Sequence, residues 1–227
     1  ARPELSPQMQ QTVLTALGEG LKRRGVTLSS LLSDKATNKQ VRAKVDDLFR
    51  LAIKNATDEK QSLMPRATAI GLLAFADYAF TESTLEPFLS PQTPQILQRA
   101  AVAALSQQDA ENSGRLLIAH WRGYSPTTRR DVTDGLLSSV ARIDLLLKAL
   151  QERRIQPREL DRDKIQVLLN HPNAKIKAAS AKLLGGSVVT DRTKVVADFQ
   201  KILDLERDVT RGLQVFTKKC ALCHRVG

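Results

Sequence analysis

The chain has 227 residues, of which 42% are hydrophobic and only 4% aromatic, so its core consists mainly of Leu, Ala, Val and Ile. This composition favours close helix–helix packing over a large β-sheet. The net charge of +11 leaves nucleic acid open as a partner, although interleaved acidic residues make solvated helix faces the simpler interpretation. No apolar run reaches about 18 residues, so we expect no membrane span.

The N-terminal segment shows the apolar spacing of α-helices. The first residues, Ala1-Arg2-Pro3-Glu4, contain no apolar signal stretch and suggest a processed start or the middle of a longer protein. Two apolar stripes with helical spacing follow, and Gly25 is the predicted end of the first helix. The stripes are Val13, Leu14, Leu17 and Leu21, and then Val41, Val45, Leu48, Phe49, Ala52 and Ile53. No strand-like alternation is evident, so the prediction is an all-α fold.

Four similar segments indicate an internal repeat. They are PRATAIGLL (65–73), LQRAAVAAL (97–105), TRRDVTDGL (128–136) and IKAASAKLL (176–184). Their final leucines give steps of 32 and 31 residues, followed by a longer step of 48 that contains an extra segment at 153–163. Partner helices are predicted at 113–121 and 163–169. A period of this size with two helices per unit is typical of an α-solenoid.

These segments resemble HEAT repeats, most clearly from Leu169-Asn170-His171-Pro172 through Gly185. The resemblance covers about 63–186. It implies a HEAT-like α-solenoid of antiparallel helix pairs, which we assign to residues 1–190, and a role as a scaffold or interaction surface.

The repeat region contains no recognisable catalytic constellation. His171 precedes a proline and is predicted to be a turn residue. His120 is predicted to be a packing or surface residue, and the neighbouring Trp121 a core residue. Asp131 and Asp134 lie one helical turn apart and are expected to be solvated. We find no nucleophile–base pair, no glycine-rich phosphate loop and no H-E-x-x-H motif, so we expect this chain to catalyse no reaction by itself.

A different organisation begins near residue 191. The stripe in 191–205 predicts a linker helix, and it consists of Val195, Val196, Phe199, Ile202 and Leu203. A second helix follows, in which Gly212 and Phe216 are four residues apart and therefore share a face. We assign residues 191–227 to this second region.

The most specific motif is C-x-x-C-H, formed by Cys220, Cys223 and His224. This spacing attaches c-type haem: the two thiols form thioethers with the vinyl groups, and the histidine ligates the iron. Three alternatives remain. The cysteines form a redox or disulfide pair, they are half of a zinc site that lacks its other ligands, or the spacing is a coincidence.

The segment RGLQVFTKKCALCHRVG resembles the start of a cytochrome c domain. More narrowly, it is similar to the haem-binding domain that follows HEAT-type repeats in large planctomycete and verrucomicrobial proteins, often after a dehydrogenase-like β-propeller. The resemblance implies haem c on Cys220 and Cys223 with His224 as proximal iron ligand. It also implies electron transfer with a redox partner protein or an adjacent dehydrogenase-like domain, in a periplasmic or exported parent protein.

The chain lacks the later parts of that family pattern. A glycine-rich turn, a proline loop, a distal methionine and a closing helix would follow, whereas Met9 and Met64 lie far upstream. We therefore expect a piece of a longer parent that carries haem c, a truncated cytochrome c helix here, and no haem on this chain if it is made in a cytoplasm. Residues 220–227 are expected to be frayed or docked on a neighbour.

Two other functions compete with electron transfer. The size and charge are similar to those of HEAT-like alkylpurine DNA glycosylases, which would place Arg and Lys on one concave face and make binding strongly salt-dependent. The other is a plain protein-interaction scaffold that uses the inner surface of the solenoid.

Overall fold

A computed structural model describes residues 6–33, 38–108, 111–188, 192–204 and 206–221. Within these ranges the chain forms thirteen α-helices and no β-strand, which confirms the predicted all-α fold. None of the described helices combines the length and the apolar character needed to cross a membrane. The chain divides into two compact units, Ala1–Val188 and Val189–Gly227.

The described residues of the first unit contain helices α1 to α11. These are α1 (Pro7–Arg23), α2 (Leu28–Ser33), α3 (Lys39–Thr57), α4 (Leu63–Leu72), α5 (Tyr78–Leu85), α6 (Gln95–Gln107), α7 (Glu111–Ala119), α8 (Pro126–Leu136), α9 (Val140–Gln151), α10 (Arg162–Leu169) and α11 (Ala174–Val188). The second unit contains α12 (Arg192–Gln200) and α13 (Val209–Lys219). Short 3-10 helices lie at Leu73–Phe75, Glu86–Leu89, Trp121–Gly123, Pro157–Glu159 and Lys201–Asp204.

Gly25 ends the first helix as predicted. Its φ is +73°, in the left-handed region that favours glycine. Its N–H donates to the carbonyl of Lys22, and the N–H of Val26 donates to the carbonyl of Leu21. This pair of hydrogen bonds is the Schellman arrangement, which satisfies carbonyl groups left open at a helix end.

The buried face of α1 differs from the predicted stripe. Leu14 is buried, whereas Val13 and Leu17 are 53% and 46% exposed. The cause is Gly18, since a Cβ at this position would lie 2.3 Å from Cδ1 of Phe75. The helix therefore rests on the Phe75 ring through its glycine, and this contact rotates Val13 and Leu17 away from the core.

Several helices of the first unit pack against the helix that lies two further along the chain. Helix α6 packs against α4 and α8, and α9 packs against α7 and α11. Helix α11, which contains the last of the four similar segments, has its main contacts with α10 and α9. Sequence patterns had not singled out α9, although Leu146 and Ala149 in it are fully buried.

Two buried side chains tie successive turns together. The Gln108 Nε2 amide donates to the carbonyls of Leu73 and Ala76 at 3.0 and 3.4 Å. Thirty-four residues later, Arg142 donates to the carbonyls of Leu105 at 2.9 Å and Ser106 at 2.7 Å, and also to that of Gln108. Carbonyl groups at helix C-termini lack helical partners and carry partial negative charge, so an amide or a guanidinium stabilises them.

Candidate functional site

Helix α13 leads directly into the predicted attachment motif. Asp208 caps its N-terminus, where the carboxylate accepts a 2.9 Å hydrogen bond from the N–H of Arg211. Lys218 and Lys219 occupy the last turn. An acidic cap and a basic last turn both oppose the helix dipole, so the local sequence stabilises this short helix without tertiary contacts.

One face of α13 is apolar and ends at a thiol. We call this face the α13 stripe, and it consists of Val209, Leu213, Phe216 and Cys220. The steps of four, three and four residues keep these positions on one side of a helix. Val209 is 83% and Leu213 64% exposed, and Phe216 is half-buried. The stripe therefore presents a largely exposed apolar surface within the described part of the chain.

The helix ends at the first cysteine. The N–H groups of Cys220 and Ala221 both donate to the carbonyl of Phe216, at 2.8 and 2.9 Å. Cys220 is exposed and has a free thiol. Cys223 and His224, the other predicted site residues, lie outside the described residues. An exposed thiol at the end of an apolar face suits an apolar macrocycle held by a thioether, so the described part of the segment fits a haem.

Among the described residues, His120 and His171 do not belong to a possible metal site. His171 lies in the turn after α10, as predicted, and its Nδ1 accepts a 3.1 Å hydrogen bond from the N–H of Asn173. His120 Nε2 lies 3.4 Å from Oε1 of Glu86. Among the described residues, no group of three or more His, Cys, Asp or Glu side chains is placed to hold a metal ion.

Trp121 is a core residue, as predicted, with 1% of its surface exposed. The Arg129 guanidinium lies 5.5 Å from the centre of its ring, a cation–π distance. Arg129 also donates to Glu159 Oε1 at 2.7 Å. These contacts make the tryptophan a packing and anchoring group, not a surface for stacked bases.

Basic residues of α6, α8 and α10 form ion pairs with acidic residues of other segments. Arg99 pairs with Asp131 at 2.5 Å and Arg130 with Asp161 at 2.8 Å. Lys164 pairs with Asp134. Hydrogen bonding to the aspartates raises the pKa of Arg99 and of Lys164.

Asp131 and Asp134 were expected to be solvated, and the structure leaves Asp134 exposed and Asp131 partly exposed. Each also pairs with a cation about thirty residues away in sequence. Sequence reasoning missed these pairs because it treated the two aspartates as one helix surface. The signal was present in the repeat period itself, since a residue on one helix faces its counterpart roughly one period along the chain.

The fold defines the class of this molecule as an all-helical protein. Comparison with known proteins found no matching family model, curated protein or solved structure.

Proposed function

We propose that Cys220, Cys223 and His224 attach a c-type haem, and that α13 is the first helix of a cytochrome c-type domain in an exported electron-transfer protein. The observation that carries this proposal is the α13 stripe, whose apolar surface runs into the first cysteine of the motif. When bound, the haem supplies one-electron transfer.

The residues of α13 have distinct roles in this proposal. The two cysteines hold the macrocycle covalently, and His224 ligates the iron. Phe216 and Leu213 provide apolar surface for the haem edge and for chain that packs around it. Apart from its own helix, no described residue has an atom within 4 Å of the position that a Cβ of Gly212 would take, which leaves room for a crossing helix.

A variant series tests the attachment. The chain is exported to a bacterial periplasm together with the machinery that matures c-type cytochromes, and bound haem is measured as the pyridine haemochrome after acid–acetone extraction. We expect non-extractable haem in the wild type and its loss in a Cys220→Ser, Cys223→Ser double variant.

A matched variant controls for general damage to the segment. Val215→Ala lies on the same helix but outside the α13 stripe, and we expect it to retain the wild-type haem content. A colourless wild-type product with both thiols intact would refute the proposal. His224→Ala is expected to keep the thioethers and change the absorption spectrum of the iron.

We further propose that α4 to α11 form a HEAT-like α-solenoid that serves as scaffold or interaction surface. Two observations support this arrangement. Alternate helices pack together, as α4, α6 and α8 do. The pairs Arg99–Asp131 and Arg129–Glu159 join residues 32 and 30 positions apart, close to the 31- and 32-residue steps of the sequence repeat.

The charge pattern gives less support to nucleic-acid binding than to the scaffold role. Arg99, Arg129 and Arg130 are each paired with a carboxylate of the same chain, which offsets the charge they offer to phosphate. Fluorescence anisotropy with a duplex DNA probe distinguishes the two roles. The scaffold role predicts weak binding, whereas tight binding that falls steeply with salt would favour the nucleic-acid alternative.

A further inference from the structure

A cleft of about 520 Å³ opens in the first unit, between α1 and the turns that follow α4, α6 and α8. Ala76, Gln108 and Ser138 line it from these three turns, and Gly18 and Lys22 line it from α1. Its volume lies within the range of small-molecule sites in proteins. All the residues that line the cleft belong to the first unit, whereas α13 belongs to the second.

One wall of the cleft is apolar. The left-handed turn at Gly25 reverses the chain after α1 and brings Val26 and Leu28 to the wall. Ala74 and Phe75 add to the apolar lining from the 3-10 helix after α4. Such a surface suits the apolar part of a ligand, because burying it removes that part from water.

The cleft is also lined by two residues with unpaired polar atoms. Gln108 is 5% exposed, and its Nε2 makes three hydrogen bonds, yet its Oε1 has no partner among the described residues. Ser106 Oγ is likewise without a partner in the described part of the chain. Buried oxygens of this kind are normally hydrogen-bonded, so both sites call for a donor such as an amide N–H.

The charged residues of the lining favour an anion. Lys22 and Arg142 are cationic and Asp77 is anionic. Arg142 donates to backbone carbonyls, and the Asp77 carboxylate accepts the N–H of Ala79 as a helix cap at 2.9 Å. Within the described residues Lys22 forms no ion pair, so its ammonium group is the charge that remains for a ligand.

We propose that this cleft binds an apolar carboxylate that carries an N–H donor, the chemistry of the C-terminal residue of a peptide with an apolar side chain. The side chain lies on the wall formed by Val26, Leu28 and Phe75. The carboxylate pairs with Lys22, and the amide N–H lies on the side of the cleft that Gln108 and Ser106 line. The inference concerns the scaffold unit and does not depend on haem attachment.

N-acetyl-L-phenylalanine is a suitable probe because it contains all three groups, and its C-terminal amide derivative lacks only the charge. Titrations of the full chain are followed by isothermal calorimetry and by chemical shifts in ¹⁵N spectra. We expect saturable binding of the acid, with binding of the amide about fivefold weaker or more, and shifts confined to residues around the cleft.

Three variants locate the site. Lys22→Gln is expected to weaken the acid about fivefold without changing the amide, whereas Lys60→Gln, at an exposed lysine outside the cleft, changes neither. Val26→Trp fills the cleft and abolishes binding of both probes, and its circular dichroism spectrum checks that it folds. Absence of saturable binding, equal affinity for acid and amide, or binding that survives Val26→Trp would each overturn the proposal.

Discussion

The two units use amphipathic helices in opposite ways. In the first unit, apolar faces are covered by neighbouring helices, and residues such as Leu146 and Leu136 have no exposed surface. In the second unit, Phe216 alone among the side chains described is half-buried, and all the others are exposed. An apolar stripe of the same helical period is thus a core in one unit and an open surface in the other. The difference teaches that the pattern fixes a helix face, while only tertiary partners decide its burial.

The largest expected difference in unfolding free energy is between a leucine truncation in the first unit and one in the second. Leu146→Ala should lower the free energy of unfolding by about 2–5 kcal/mol, because it leaves a cavity in a closed core. Leu213→Ala removes a side chain that is 64% exposed and should change it by less than about 0.5 kcal/mol. Urea unfolding followed by circular dichroism measures both, and similar losses would contradict the contrast between the units.

A second prediction concerns close approach between helices in the first unit. A Cβ at Gly135 would lie 2.1 Å from Oγ and 2.7 Å from Cβ of Ser106. Gly135→Ala should therefore destabilise the protein by about 1–3 kcal/mol through overpacking. Gly71→Ala is the matched control, since Gly71 is helical and no described residue outside its own helix has an atom within 4 Å of the new Cβ. It should stabilise the protein by up to about 1 kcal/mol. Thermal unfolding of both variants tests the pair, and equal melting temperatures would count against the packing described.

A third prediction links the burial of the Tyr124 hydroxyl to the way in which the protein's stability depends on pH. The Tyr124 hydroxyl is buried without a partner among the described residues, and burial raises its pKa above the ordinary 10.0. The folded protein then keeps this proton at a pH where the unfolded chain releases it, so stability falls as pH rises above about 10. Tyr124→Phe should be stabilising by about 1 kcal/mol at pH 7, because it removes an unsatisfied hydroxyl, and by more at pH 11.

Unfolding in urea at pH 7 and pH 11 measures this difference. Tyr78, whose pKa is also raised, is present in both proteins and does not affect the comparison. A variant less stable than the wild type at pH 7 would show that the hydroxyl has a hydrogen-bond partner after all.

The smallest expected effect is on the ion pairs of the first unit. A double-mutant cycle with Arg130→Met and Asp161→Asn should give a coupling of about 0.2–1 kcal/mol, which 1 M salt reduces. Lys218→Met in the second unit, where no partner is described for this lysine, should leave the unfolding free energy unchanged within error. A coupling of zero at low salt would show that the Arg130–Asp161 pair does not stabilise the contact between α8 and the residues before α10.

The sequence pattern predicted the helices well, but it predicted poorly which residues pack together in space. It found the end of α1 at Gly25 because the left-handed turn is a local property. It misplaced Val13 and Leu17, since their exposure depends on Gly18 meeting Phe75 more than fifty residues away. Gln108 and Arg142 gave no sequence signal as structural residues, because the carbonyls they bind belong to segments more than thirty residues earlier.

For the candidate site, the sequence contributes more than the structure does. Cys220, Cys223 and His224 are predicted from spacing alone, because thioether attachment would need a fixed local separation of the two thiols. The structure adds the α13 stripe, which relates Cys220 to Val209, Leu213 and Phe216 and could be read only partly from Gly212 and Phe216.

The most direct test of haem attachment is the mass of the peptide that contains the motif. The chain is matured in a periplasm that attaches haem to a control c-type cytochrome in the same cells, and its proteolytic peptides are measured by mass spectrometry. We predict one haem added to the peptide that contains Cys220 and Cys223. That peptide recovered with free or disulfide-linked cysteines, beside a fully matured control, would contradict the proposal.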